Sequence, residues 1–128
     1  MELDDFYFMK VALKEAEKSA LAGEVPVGAI VVTDKKIIAR SHNLTERLND
    51  VTAHAEMQAI TAASNFLNGK YLSKCTLYVT LEPCTMCAGA LFWSQLGRLV
   101  YGSSDPLRGF NQAGISIHPQ TKITSGVM

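Results

Sequence analysis

Phe6, Met9, Leu13, Ala16 and Ala20 recur at the three- and four-residue spacing of one helical face, and Asp4 and Asp5 before them suit a helix N-terminus. The spacing predicts a helix to about Leu21, with Gly23 where a C-terminal cap would fall. Val27 to Thr33 reads Val-Gly-Ala-Ile-Val-Val-Thr, a nearly continuous β-branched run that predicts a strand buried on both faces. Asp34-Lys35-Lys36 is a polar turn, and Ile37 to Arg40 returns as the second strand of a hairpin. Ser41 to Val51 is polar, has no clear period and reads as loop. From Ala53 to Asn65 the residues are good helix formers, with Met57, Ile60, Ala63 and Leu67 as the apolar stripe and Asn68-Gly69 as its close. Thr76 to Leu81 reads as a strand and Cys84 to Trp93 as a helix, its start marked by Pro83. Two short strands follow, Leu99 to Gly102 and Lys122 to Thr124.

Helix, two strands, helix, strand, helix, strand: this alternation predicts an α/β fold, a three-layer α/β/α sandwich around one mixed sheet. The first two strands should be antiparallel and the later ones, joined through helices, parallel. A chain of 128 residues, 48% hydrophobic and 19% charged, is expected to form one globular domain across residues 1–128. Its acidic start lacks the basic residues and apolar run of a signal peptide, and no apolar run reaches the length of a membrane span. A cytoplasmic address is the expectation. Twelve basic and twelve acidic residues balance, so composition gives no support for a nucleic-acid partner, which a basic excess would.

Two short stretches carry the chemistry. Thr52-Ala53-His54-Ala55-Glu56 and Leu81-Glu82-Pro83-Cys84-Thr85-Met86-Cys87 together read His-x-Glu … Pro-Cys-x-x-Cys, a pattern similar to the signature of zinc nucleobase deaminases. Zinc takes imidazole nitrogen and thiolate sulfur readily, and a catalytic site supplies three protein ligands, leaving the fourth position for water. His54, Cys84 and Cys87 make three. Glu56, a hard carboxylate beside a softer donor set, suits proton transfer better than ligation. Cys84 and Cys87, three apart in a first helical turn, share a face, and the helix dipole stabilises their thiolates. His54 and Glu56 would point apart on a regular helix. Both can face one metal only if they lie where the backbone is still entering the helix, with Asp50 or Thr52 as possible caps.

Other readings of these residues exist. A Cys-x-x-Cys alone also serves structural zinc sites and redox pairs. A structural site would need a fourth protein ligand, for which Cys75, His42 and His118 are the candidates. A redox pair would have no use for His54 and Glu56. Cys75, at the start of an apolar run, reads most simply as a packing residue.

Beyond the bare signature, Glu24-Val25-Pro26-Val27-Gly28-Ala29, the segment from Thr52 to Met57 and the segment from Leu77 to Ala90 resemble the bacterial tRNA-specific adenosine deaminases, members of the cytidine deaminase-like superfamily. The resemblance runs from the first helix to about Asp105. It implies one Zn2+ per subunit on His54, Cys84 and Cys87, and Glu56 as the proton shuttle. It implies that Asn43 contacts the target nucleoside, that the backbone of Ala55 and the side chain of Val27 form parts of the base pocket, and that Asp105 lies near bound RNA. The implied reaction is hydrolytic deamination of adenosine to inosine at the wobble position of a tRNA anticodon loop, by a homodimer. Members of that family usually carry a further helix beyond the segment matching Ile123 to Val127, and a more basic loop where Ser104 and Pro106 stand. An enzyme of the same fold acting on free guanine, cytosine or cytidine is the alternative, and a non-catalytic zinc-stabilised binding module is a second.

Overall fold

A computed structural model describes residues 3–128. Its elements run α1 (Asp5–Leu21), β1 (Gly28–Thr33), β2 (Lys36–His42), α2 (Ala55–Leu67), β3 (Thr76–Leu81), α3 (Thr85–Ser94), β4 (Arg98–Ser103) and β5 (Lys122–Thr124). The five strands form one mixed sheet in the order β2-β1-β3-β4-β5. β1 pairs antiparallel with both β2 and β3, while β3–β4 and β4–β5 are parallel. The predicted sandwich is the observed one. Asp34 and Lys35 close the hairpin with φ of 50° and 61°, the two left-handed residues that a tight two-residue turn requires.

Strand alternation divides the core in two. Ile30, Val32, Tyr78 and Val100 point to one face of the sheet and pack under Phe8, Met9 and Ala12 of α1. Ala29, Val31, Leu77, Val79 and Leu99 point to the other, under Ala55, Ala59 and Ala63 of α2 and Ala88 and Leu91 of α3. β1, buried along nearly all its length, has helices on both faces as its β-branched run requires. α1 comes very close: a Cβ on Gly28 would lie 2.1 Å from the Ala12 carbonyl oxygen, so only glycine fits.

Both long helices bury part of the predicted stripe and are turned from the rest of it. α1 buries Met9 and Ala16 as predicted, together with Phe8, Val11, Ala12, Glu15 and Ser19, leaving Phe6 half exposed and Ala20 in water. The rotation reflects two polar side chains, Glu15 and Ser19, that have hydrogen-bond partners inside and therefore face inward. α2 buries Ala63 as predicted, but Ala55, Glu56 and Ala59 in place of Met57 and Leu67. Alanine brings the helix backbone near the sheet, and the larger apolar residues fall to the flanks. β2 also runs two residues further than predicted, so Ser41 and His42 are strand residues.

Candidate active site

The carboxyl ends of β2, β3 and β4 lie at one edge of the sheet, where α2 and α3 begin, and crevices at such edges hold ligands in open α/β sheets. A cleft of about 550 Å³ opens there. Val27, Asn43, His54, Glu56, Cys84 and Asp105 all line it. Cys87 and Ala55 are fully buried and lie beneath its floor.

His54 is the N-cap of α2, in extended conformation with φ −69° and ψ 154°. Glu56 is the second helical residue. The bend between them turns both side chains toward the cleft, which a regular helix would forbid. Asp50 caps nothing on α2 itself; its carboxylate accepts from the backbone N–H and hydroxyl of Thr52 in the preceding turn. Cys84 is likewise the extended N-cap of α3, with Cys87 one turn in. Pro83, just ahead of Cys84, cannot continue the β3 ladder and directs the chain into the helix.

The His54 Nδ1 atom lies 3.6 Å from Cys84 Sγ and 3.5 Å from Cys87 Sγ, and all three donor atoms fall within 4.8 Å of one another. Donors held tetrahedrally at zinc bond lengths of ~2.0–2.3 Å lie roughly 3.5 Å apart, so the donor set fits zinc in both chemistry and spacing. Among the described residues no fourth donor joins the group. Cys75 is buried elsewhere, His42 is bonded to Glu15, and His118 packs on Phe92. The structural-zinc reading lacks its fourth ligand.

Two helix N-termini aim their positive ends at this point. A hydrogen bond from Cys87 is the main cause that lowers the Cys84 pKa to about 5, aided by the backbone N–H groups of Met86 and Cys87. The proton stays on Cys87, whose pKa is raised by that same bond and by burial. With a divalent cation bound, Cys84 and Cys87 would both serve as thiolate ligands, the Cys87 proton being released to solvent. Glu56 is shifted the other way. Burial, at 4% exposure, pushes its pKa up to about 7, against the opposing pull of its own backbone N–H. A carboxyl poised near neutrality can both take and return a proton.

Asn43 is held on three sides. Its Oδ1 accepts from the Ala55 backbone N–H at 2.8 Å, its carbonyl from the Ser19 hydroxyl at 3.2 Å, and its N–H donates to the Val27 carbonyl at 3.2 Å. With Oδ1 engaged, the Nδ2 amide is left for the cleft. The Ala55 backbone is fully occupied, since its carbonyl also accepts from Ser41 Oγ at 2.6 Å. Ala55 therefore contacts Asn43 and leaves no backbone group of its own free to the pocket.

Two buried carboxylates unforeseen from the sequence build the walls. Glu24 accepts from the backbone N–H groups of Glu46 and Arg47 and from Thr45 Oγ1, which fastens the loop after β2. Glu82 accepts from the N–H groups of Asp105 (3.0 Å) and Asn111 (2.9 Å), which fastens the loop after β4. Gly109 makes that docking possible, because a Cβ there would sit 2.4 Å from Glu82 Cδ. Asp105 shapes the same loop, accepting from the N–H groups of Leu107 and Arg108. Adjacency to Pro83-Cys84 was the one sequence signal for Glu82, and for Glu24 the one signal was its place at the head of the segment Glu24 to Ala29.

This geometry first defines a class: enzymes that activate water on a protein-held zinc beside a proton-carrying carboxylate. Residues 2–103 match the family model of the cytidine and deoxycytidylate deaminase zinc-binding region, and the chain belongs to that family of zinc-dependent hydrolytic deaminases. It is 52% identical to the tRNA-specific adenosine deaminase of Aquifex aeolicus, over 80% of this chain and 68% of that one. Among solved structures it superimposes with a TM-score of 0.85 and 44% identity on one from work on A-to-I editing by tRNA deaminases at the wobble position of transfer RNA, covering 94% of this chain and 92% of that one. Guanine deaminase from Bacillus subtilis is also similar, with a TM-score of 0.74 and 37% identity over 84% of this chain and 66% of that one. Among the described residues no helix is long and apolar enough to cross a membrane.

Proposed function

We propose that this protein deaminates adenosine to inosine at the wobble position of a tRNA anticodon loop, in the cytoplasm. The observation that carries the reading is likeness over 94% of the chain to a tRNA wobble-position deaminase, joined to a cleft in which the three metal donors, Glu56 and Asn43 converge. His54, Cys84 and Cys87 hold the zinc, which supplies the Lewis acidity that makes water a nucleophile at neutral pH. Glu56 removes a proton from the attacking water and delivers protons to N1 of adenine and to the departing amino group. Water and adenosine give inosine and ammonia. Asn43 presents its Nδ2 to the nucleoside, Val27 forms an apolar wall for the base, Ala55 orients Asn43, and Asp105 keeps the rim in shape near the RNA. The base reaches Glu56 by leaving the loop's stack and entering the cleft. The protein acts as a homodimer; Phe66, Phe92 and Trp93, apolar yet exposed on α2 and α3, support that assembly.

Likeness to guanine deaminase favours a free purine base as the second reading. Zinc-loaded protein incubated with a tRNA carrying wobble adenosine, and separately with free guanine and cytidine, decides between them. Inosine in the tRNA alone is the expected result. Ammonia release from guanine alone would transfer the protein to the second reading.

A further inference from the structure

Fifteen residues line the cleft, and Arg108 is the one arginine or lysine among them. Five carboxylate side chains share that lining: Glu46, Asp50, Glu56, Glu82 and Asp105. Most of these have work within the fold. Glu82 and Asp105 bind the backbone of the loop after β4, and Asp50 binds Thr52. Their charge nevertheless remains, and it repels an approaching phosphate. A cation at the entrance would offset that repulsion for a nucleotide of a polynucleotide, whose phosphate stays outside the metal pocket.

Arg108 is placed to do that. Three ion pairs occur among the described residues, and none involves it. Its backbone is fixed, the N–H donating to Asp105 Oδ1 at 3.1 Å in a loop that the buried Glu82 ties to the strand leading to Cys84. On a rigid turn no backbone freedom is lost when the guanidinium binds, and its planar fork matches two phosphate oxygens. Neutral overall charge makes the position of a single cation matter more than it would on a basic surface.

We propose that Arg108 is the phosphate-recognising residue of the cleft, binding the backbone phosphate beside the target nucleoside and so selecting a nucleotide within RNA over a free base. The inference rests on the wobble-adenosine reading above and adds to it a residue that sets substrate class.

The test uses an anticodon stem–loop with wobble adenosine, assayed over a range of salt concentrations with wild type, Arg108→Gln, Arg108→Lys and, as a control outside the cleft, Arg47→Gln. For Arg108→Gln, KM should rise about fivefold with kcat unchanged. The slope of log kcat/KM against log salt should become shallower by about 0.7, the loss of one phosphate contact to a single strand. Lysine should restore part of the affinity. Zinc content and melting temperature should stay at wild-type values, since the side chain is exposed. A KM and salt slope unchanged in Arg108→Gln, or shifted equally by Arg47→Gln, would overturn the assignment while leaving the wobble reading intact. Wild-type protein inert on the stem–loop but active on guanine would overturn both.

Discussion

Two carboxylates on opposite faces of the sheet have been pushed in opposite directions. Asp5, on the α1 face, is held below the ordinary carboxyl pKa, first by its hydrogen bonds to Arg98 and then by Tyr78. Both Arg98 terminal nitrogens donate to it, at 2.7 and 2.6 Å, and the Tyr78 hydroxyl donates at 2.7 Å. Glu56, on the α2 and α3 face, is nearly as deep as the core and has no cationic side chain of that kind, so burial lifts it to about 7. A carboxylate surrounded by donors is stabilised as an anion and joins α1 to β3 and β4. One left short of donors stays ready to exchange a proton. The same residue chemistry gives a structural clamp on one side and a reactive group on the other.

The sharpest way to break the contrast is Glu56→Gln. Turnover should fall about 10³-fold in an inosine-release assay, while zinc measured by elemental analysis stays near one per chain. The melting temperature should hold or rise, because a buried carboxyl with a raised pKa costs the fold stability at neutral pH. Wild-type turnover in that variant would remove Glu56 from the chemistry.

Gly28→Ala comes next in size and probes the α1 face. The new methyl group would press on the Ala12 carbonyl and the backbone nitrogen of Ala16, so α1 must shift. A loss of about 3 kcal/mol in urea unfolding is expected, with zinc still bound by whatever remains folded. An unchanged unfolding midpoint would mean that α1 is not seated as described.

Asp5→Asn should have the smallest effect, about 1 kcal/mol, since the pair with Arg98 is only partly buried. Its sign with pH follows from the depressed pKa. The wild-type advantage is complete above the unfolded carboxyl value near 3.8 and disappears as pH falls through the lower folded value. Unfolding curves of the two proteins should therefore differ at pH 7 and converge toward pH 2.

Much of the fold was legible because hydrophobic runs and turn residues mark elements directly. The strand at Val27 to Thr33, the Asp34-Lys35 turn and the helix after Pro83 all stand where their residues place them. The metal donors were legible because zinc restricts residue type and spacing. The stripes of α1 and α2 were legible only in part: Met9, Ala16 and Ala63 are buried as their spacing places them, but the facing of each helix depended on polar partners that periodicity does not show. Ser19 bonds the carbonyls of Val27 and Asn43, and Glu15 pairs with Lys18 and His42. Nor were Glu24 and Glu82 legible as wall anchors, since a carboxylate accepting backbone N–H groups leaves no periodic trace. Strand order was equally hidden: β1 lies between β2 and β3, an arrangement set by packing and not by neighbouring sequence.

The loop after β4 is fastened to the metal strand through Glu82, a glycine that lets it approach, and a short bridge between Cys84 and Gly109. Few fixings of this kind make the loop an exchangeable cassette. Residues 106–108, all exposed, can be rewritten, lengthened or transplanted from a relative while Glu82, Gly109 and the buried Phe110 keep the graft in register. For protein engineering, new substrates could then be sought by shuffling one short peptide, with the reactive centre inherited unaltered.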